Sequence, residues 1–333
     1  MTFHSDDFEV AIDDWASAVE GWSAAALDAA QIDAEFRSWE GSQKHARMLA
    51  GSSAAKAEVE IKEKVLTVLS LGAGVQSSAL ALMCARGFIT PMPDCAIFSD
   101  TQSEPQHVYD YLDYLESVLP FPIHRVTIGS LRNDLIESSK TGARVPNPPL
   151  FSTSPKSDGM LFRQCTADYK ITPIFKKLRE LIGLKPRQRA PKTVRVSQMI
   201  GISQDEIQRM RYSRHAWVEN RYPLIEKRMS RLHCLKWMQD QGFNQLPRKS
   251  SCTFCPFHSD AMWLEMKNND EKSWDDAVAV DVAIRNGINK TTEGNQMFLH
   301  RSRIPLSEVD LTSKYENQHT FGFMDECEGM CGV

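Results

Sequence analysis

The chain has 333 residues, with 39 Lys+Arg against 43 Asp+Glu for a net charge of −4, and 42% of the residues are hydrophobic. That is the composition of an ordinary globular protein with one large domain and appendages, or two modest domains, and it excludes a small scaffold that depends on disulfides. The longest apolar stretches, such as Val65 to Val75, are broken by Ser70 and glycines well short of the roughly 18 residues a membrane helix needs, and the opening MTFHSDDFEV carries acids where a signal peptide carries bases, so a cytoplasmic protein with no membrane partner is expected.

Charge is unevenly spread. Residues 1–65 hold 6 Lys+Arg and 13 Asp+Glu, net −7, which leaves +3 for the rest of the chain. Trp15, Val19 and Trp22 are spaced like one face of a helix, and an Ala-rich stretch follows, so 1–64 reads as an acidic helical appendage without recognisable chemistry. The next segment, VLTVLSLGAGVQSSALALMCARG, reads as a strand, a Ser/Gly loop and an amphipathic helix closed by Gly87. Gly72 and Gly74 let the backbone approach a phosphate, and Ser77 and Ser78 stand at the helix start, where amide N–H groups and the helix dipole face an anion. The loop lacks the Gly-Lys-Ser/Thr of a Walker motif and the third glycine of a dinucleotide fingerprint; a plain tight turn is the alternative.

Strand and helix signals keep alternating: DCAIFSD and then 105–118, IHRVTI and then 130–138. Alternation of this kind builds a parallel sheet covered by helices on both faces, with ligands beyond the carboxyl ends of the strands, where the 70–78 loop and Asp100 lie. Residues 161–260 carry 20 Lys+Arg against 8 Asp+Glu, net +12, which suits a phosphate-rich partner or a solvated basic face. Tyr212, Trp217 and Tyr222 lie among Arg209, Arg211, Arg214 and Arg221 as stacking platforms or as core. His107, His124, His215 and His233 show no metal spacing.

Eight cysteines in a reducing compartment are read for metal or redox chemistry before disulfides. Cys84, Cys95 and Cys234 sit in apolar or helical runs and read as buried small hydrophobes. Cys252 and Cys255 form Cys-x-x-Cys, followed by His258, in a loop flanked by Pro247 and Pro256. The spacing fits a tetrahedral Zn2+ site with His258 as a ligand, an iron-sulfur cluster, or free thiols. Cys327 and Cys331 lie in a tail whose acids Asp325, Glu326 and Glu328 raise a thiol pKa; such a tail can carry a persulfide, resolve a disulfide, supply a ligand, or simply fray.

Ser70-Leu71-Gly72-Ala73-Gly74-Val75-Gln76-Ser77-Ser78 resembles the PP-loop (SxGxxxS) of the ATP-pyrophosphatase superfamily, closest to its phosphoadenylylsulfate (PAPS) reductase-like branch. Further segments match in order: Ala96 to Pro105 resembles the second strand and its Asp-Thr-Gly segment, with Gln102 in place of Gly; Arg163-Gln164-Cys165 to Ile174 resembles the Cys-rich segment; Gly201-Ile202-Ser203-Gln204-Asp205-Glu206 with Arg209, then Tyr222-Pro223-Leu224, resemble the later Gly-Ile-Arg-x-Asp-Glu-x-x-Arg and Pro-Leu steps. The resemblance implies a doubly wound, mostly parallel α/β sheet over 65–250, followed over 251–333 by a Cys-x-x-Cys region, a helical extension and the Cys-containing tail. Residues 259–320 read as helices with a polar connection near 286–296.

By the same resemblance, Ser70, Gly72, Gly74, Gln76, Ser77 and Ser78 hold the phosphates of ATP, Asp100 positions the nucleotide or Mg2+, and Gly201, Asp205, Glu206 and Arg209 close over it. Cys165, Cys252 and Cys255 hold three irons of a 4Fe-4S cluster and leave one open to sulfide; Gln164 stands where cluster reductases carry another Cys. Glu326-Cys327 partly matches the reductases' Glu-Cys-Gly-x-His tail, without the His. The expected function is ATP-dependent, iron-sulfur-assisted sulfur transfer to a nucleic acid, tRNA or DNA, held by Arg163, Lys170, Arg211 and Arg214. Cys327 and Cys331 serve as thiol carriers in that scheme, and a donor such as a cysteine desulfurase supplies sulfur. The alternatives are a PAPS or APS (sulfonucleotide) reductase using a tail thiol, and a non-catalytic nucleotide-binding subunit of a modification or defence system.

Overall fold

The computed structural model describes residues 65–153 and 158–312; the acidic segment 1–64 and the tail with Cys327 and Cys331 lie outside the described residues. The chain begins with β1 (Leu66–Leu71), α1 (Val75–Ala85), β2 (Cys95–Ser99), α2 (Gln106–Val118), β3 (Ile123–Val126) and α3 (Leu131–Thr141), the alternation read from the sequence. Two short strands follow, β4 (Phe151–Thr153) and β5 (Gly159–Met160), then a π-helix, Thr166–Ile171, continuous with α4 (Thr172–Leu181). The core sheet is completed by β6 (Val196–Ile200) and β7 (Val218–Arg221), with a 3-10 helix, Gln204–Arg209, between them. After it come α5 (Pro223–Glu226), α6 (Arg231–Asp240), α7 (Asp260–Asn269), α8 (Glu271–Ala283) and β8 (Gln296–Phe298).

The five-stranded sheet has the order β3-β2-β1-β6-β7 and every pairing is parallel, a Rossmann-like α/β arrangement. Its three central strands, β1, β2 and β6, are almost wholly buried because both faces are covered, while the edge strands β3 and β7 carry polar, partly exposed residues. Leu69, Leu71, Ala96, Phe98 and Met199 pack on the side of α1, α2 and α6, while Val68, Ile97 and Val196 pack against Ile174 and Leu178 of α4. α1 is buried from Val75 to Cys84, so it is an interior helix with no solvent face, and Gly87 ends it with φ +74°.

Strand order reverses between β1 and β6, so the crevice beyond their carboxyl ends is bounded by residues 72–74 and 201–203. There Gly201 meets the first turn of α1: a Cβ at 201 would lie 2.6 Å from Ser77 Cα and 2.7 Å from Ser77 N, both backbone atoms.

A second core gathers Leu131, Leu135 and Tyr169 with Cys252, Phe254, Trp263, Trp274 and Met297, so the cysteine region shares its core with the segment around α3. α7 and α8 form where helices are expected and a loop follows at the polar connection expected near 286–296, but a strand, β8, and a short 3-10 turn, Leu306–Glu308, stand where a further helix is expected; 313–320 lie outside the described residues. Gly287 and Gly294 take positive φ (106° and 83°), and β8 pairs antiparallel with β4, which pairs with β5. Among the described residues no helix is long and apolar enough to cross a membrane.

Gly201→Ala is expected to cost about 1–3 kcal/mol, since the obstacle is backbone that no rotamer can move aside. The midpoint of urea unfolding measures this, and an unchanged midpoint would show that α1 shifts freely.

Candidate functional site

The loop after β1 is built from its own backbone. Gly72 N–H donates to Ser77 Oγ (3.1 Å), and the Ser77 hydroxyl reaches Gly74 O at 3.5 Å. Ala73 holds φ 54°, the left-handed region. Gly74 places no side-chain cap on α1, so the first-turn amides are the donors an anion would meet.

Gln76, almost wholly buried, donates from Nε2 to Glu206 Oε2 (3.0 Å) and to Ser203 Oγ (3.4 Å), and Glu206 in turn pairs with Arg209. Asp205 accepts the Arg231 N–H at 3.1 Å on both carboxylate oxygens, where α6 begins. The structure thus brings Gly72, Gly74, Gln76 and Ser77 together with Gly201, Glu206 and Arg209. Ser70 and Ser78 are buried beside them.

Asp100 ends β2 and accepts from Gln102 N (2.7 Å) and Tyr109 OH (2.9 Å). Burial, and then the Asp100 charge, push the Tyr109 phenol above its ordinary range, so it stays a donor. Gln102 adopts φ 54° at the position where the resembled motif carries Gly.

From the next residue the chain turns to a second site. Cys165, Cys252 and Cys255 line one cleft of about 410 Å³ of empty space, part of it open to solvent. Thr101, Arg163 and Lys170 line it together with Leu131, Pro148, Pro149, Phe254 and Pro256, and the surface that they present to it is apolar. Cys165 stands at the entrance to the π-helix, its N–H on Asn147 O at 3.1 Å. The Cys252–Cys255 turn closes through Cys255 N–H to Cys252 O (3.0 Å) and is tied to the end of β2 by Thr253 N–H to Ser103 O (2.8 Å).

Thr101 Oγ1 lies 3.3 Å from Cys252 Sγ, and Glu104 Oε1 lies 3.9 Å from the same sulfur. Lys170 Nζ bonds that Glu104 oxygen at 3.3 Å, with side chains 7% and 1% exposed. Lys170, expected as a phosphate contact, is therefore held inside the cleft by a buried carboxylate. Residues 100–104 run from the carboxyl end of β2, which pairs with β1 ahead of the glycine loop, to Thr101 and Glu104 beside Cys252.

The structure thus brings the three expected thiols, Cys165, Cys252 and Cys255, to one cleft. Among the described residues no group of three or more Cys, His, Asp or Glu donors is arranged to hold a single metal ion. His258, the ligand of the zinc reading, is buried close to the Cys252–Cys255 turn, its N–H on Cys255 O at 3.1 Å. Its Nε2 lies 2.8 Å from Ser251 Oγ, its ring packs edge-on against Trp263, and burial pushes its pKa down to about 3, so the ring is neutral. Its Nδ1 is buried without a hydrogen-bond partner.

Cys84, Cys95 and Cys234 are buried as expected, and burial pushes the first two thiols up to about 12 and about 11, which makes them poor nucleophiles. Trp217 and Tyr222 are core; Tyr212 is exposed. Arg163 lies over the Phe257 ring at 5.4 Å, Arg211 binds the carbonyls of Gln208 and Met210, and Arg214 is exposed. Sequence reasoning missed Thr101, Glu104 and Tyr109 because their roles come from contacts between distant segments. The one local signal was their place just after the β2 pattern. Comparison with family models, curated proteins and solved structures yields no match for this chain.

Two outcomes follow. Lys170→Met should destabilise the protein by about 3–5 kcal/mol by leaving the Glu104 charge buried, and Lys170→Met with Glu104→Gln should recover most of it, as read by denaturant unfolding. A brief iodoacetamide pulse on the folded protein, mapped by mass spectrometry, should label Cys165 and Cys255 well ahead of Cys84, Cys95 and Cys234; equal labelling would contradict the burial pattern.

Proposed function

We propose that this chain is a PP-loop enzyme of the PAPS reductase-like kind that uses ATP and Mg2+ to adenylate an oxygen of a nucleic acid and then replaces that oxygen with sulfur. One observation supports the reading: Cys165 and the Cys252–Cys255 pair, far apart in sequence, line a single cleft that includes Thr101, just past the carboxyl end of β2, the strand paired with β1 ahead of the glycine loop. An activated oxygen and a sulfur-handling site must lie close together for such a replacement, and a cleft and a loop at neighbouring strand ends are consistent with that.

In the first step the acceptor oxygen attacks the α-phosphorus of ATP, the bond from that phosphorus to the bridging oxygen breaks, and pyrophosphate leaves. The α1 amides with Gly72 and Gly74 receive the negative charge of the leaving group, and Asp100 orients Mg2+ or the ribose phosphate. In the second step hydrosulfide, brought by a separate sulfide donor, attacks the activated carbon; the carbon–oxygen bond breaks, adenylate leaves as AMP with the original oxygen, and the proton of the hydrosulfide passes to solvent.

Cys165, Cys252 and Cys255 would hold a 4Fe-4S cluster, and when bound it supplies the iron and sulfide chemistry. The Thr101 hydroxyl beside Cys252 steadies its thiolate, and the Glu104–Lys170 pair fixes the cleft wall without adding net charge. Arg163, on the rim over Phe257, faces an incoming phosphate or base.

Anaerobic purification followed by iron, sulfide and zinc analysis tests the reading. About three to four irons with matching sulfide per chain are expected, lost in Cys252→Ala, together with pyrophosphate release from ATP in the presence of RNA or DNA. Stoichiometric zinc without sulfide, or cluster content and turnover that survive Cys252→Ala, would overturn it. Sulfite release from PAPS without ATP cleavage would instead assign a sulfonucleotide reductase.

A further inference from the structure

Away from both sites, three aromatic rings stand in a row at the far end of α1 and α6. The centroids of Phe88 and Trp237 are 6.0 Å apart, and those of Trp237 and Phe243 are 6.1 Å apart. A cation sits over each end of the row: Lys227 Nζ lies 5.3 Å from the Phe88 centroid, and Arg86 Cζ lies 5.4 Å from that of Phe243.

The local sequence builds this surface deliberately. Gly87, at φ +74°, ends α1 and turns the chain so that Ile89 is buried while Phe88 is left 45% exposed. Gly242, at φ +76°, ends α6 and folds Phe243 back, its N–H on Met238 O at 3.0 Å. Arg86, Lys227 and Arg228 are exposed. The acidic neighbours Glu226 and Asp240 are paired with Arg221 and Lys236, so the patch carries net positive charge.

Phe88 is exposed, while Trp237 and Phe243 are half-buried and pack in part against the core beneath them; their accessible edges, with cations at both ends of the row, suit single-stranded nucleic acid, which uses rings on which bases stack and positive groups for the phosphates. A protein partner of ordinary apolar kind would leave the cations unanswered, and a duplex would leave the rings unused. α6 connects this patch to the crevice. Its first amide, Arg231 N–H, is held by Asp205 beside the phosphate loop, and Trp237 lies about 9 Å further along the helix axis at 1.5 Å per residue.

We propose that Phe88, Trp237 and Phe243, with Arg86, Lys227 and Arg228, bind a single-stranded stretch of polynucleotide and hold it along α6 with its reacting nucleotide at the crevice. The role of that strand as sulfur acceptor rests on the activity proposed above, whereas the binding stands apart from it.

The test is fluorescence anisotropy of a labelled 12-nucleotide single-stranded RNA or DNA titrated with the full chain across a range of salt concentrations, with circular dichroism checking the fold of each variant. Phe88→Leu, which keeps an apolar side chain but removes the ring, should weaken binding about fivefold or more, and Phe88→Trp should retain it. Lys227→Gln should weaken binding and reduce the slope of log affinity against log salt by about 0.7. Wild-type affinity in both Phe88→Leu and Lys227→Gln would overturn the proposal. So would equal competition by inorganic polyphosphate, or binding to anionic vesicles with none to the oligonucleotide. Pyrophosphate release from ATP, measured in parallel, separates the two readings: oligonucleotide binding without ATP cleavage leaves this surface standing and removes the activity, and the reverse result does the opposite.

Discussion

The contact between Gly201 and the backbone of Ser77 is the constraint on which the rest of this molecule is arranged. Parallel pairing of β1 with β6 brings two chain crossings to the same edge of the sheet, and the only way to seat α1 there is to let its first turn touch the end of β6 directly. That contact aims the α1 amides at the crevice and brings Gln76 within reach of Glu206, so that Glu206, itself paired with Arg209, ties the neighbouring 3-10 helix to α1 while Asp205 ties it to α6. An anion site made of backbone amides works because its donors are fixed before the ligand arrives, and here they are fixed by packing on a buried helix.

The second site is joined to the sheet through residues 100–104. β2 ends at Ser99, and the following five residues lead from the end of that strand to Thr101 and Glu104 beside Cys252. The strained φ of Gln102 and the burial of Glu104 against Lys170 belong to this short segment, where backbone and charge are both held away from their cheapest states by the surroundings. The π-helix after Cys165 has the same character: its widened turn inserts a residue at the rim of the cleft before α4 resumes an ordinary pitch.

Local periodicity made the frame readable from residues alone. The strand, loop and helix at 66–85, the segments β2, α2, β3 and α3, and the inert burial of Cys84, Cys95 and Cys234 all follow from runs of apolar residues and their punctuation by glycine. The failures have equally physical causes. β4, β5 and β8 are two or three residues long, too short to carry a period of two, and they exist because they pair with one another across the chain. The connection expected near 286–296 is a loop, shaped by Gly287 and Gly294 at positive φ and by the Thr292 hydroxyl, which accepts Ile288 N–H at 2.9 Å, but β8 and a single 3-10 turn, Leu306–Glu308, stand where a further helix is expected.

By itself, then, the sequence determined the alternating α/β order, the glycine loop at the carboxyl end of the first strand, and the division of the cysteines into buried apolar ones and a spaced Cys-x-x-Cys pair, because each is written in spacing along the chain. Only the tertiary structure decided that Cys165 meets Cys252 and Cys255 in one cleft, that Lys170 is locked to Glu104 instead of facing outward, and that Phe88, Trp237 and Phe243 form one row. Those facts are contacts between segments far apart in the chain, and they are fixed by the order of strands in the sheet and by which helix faces share a core, neither of which any local pattern encodes.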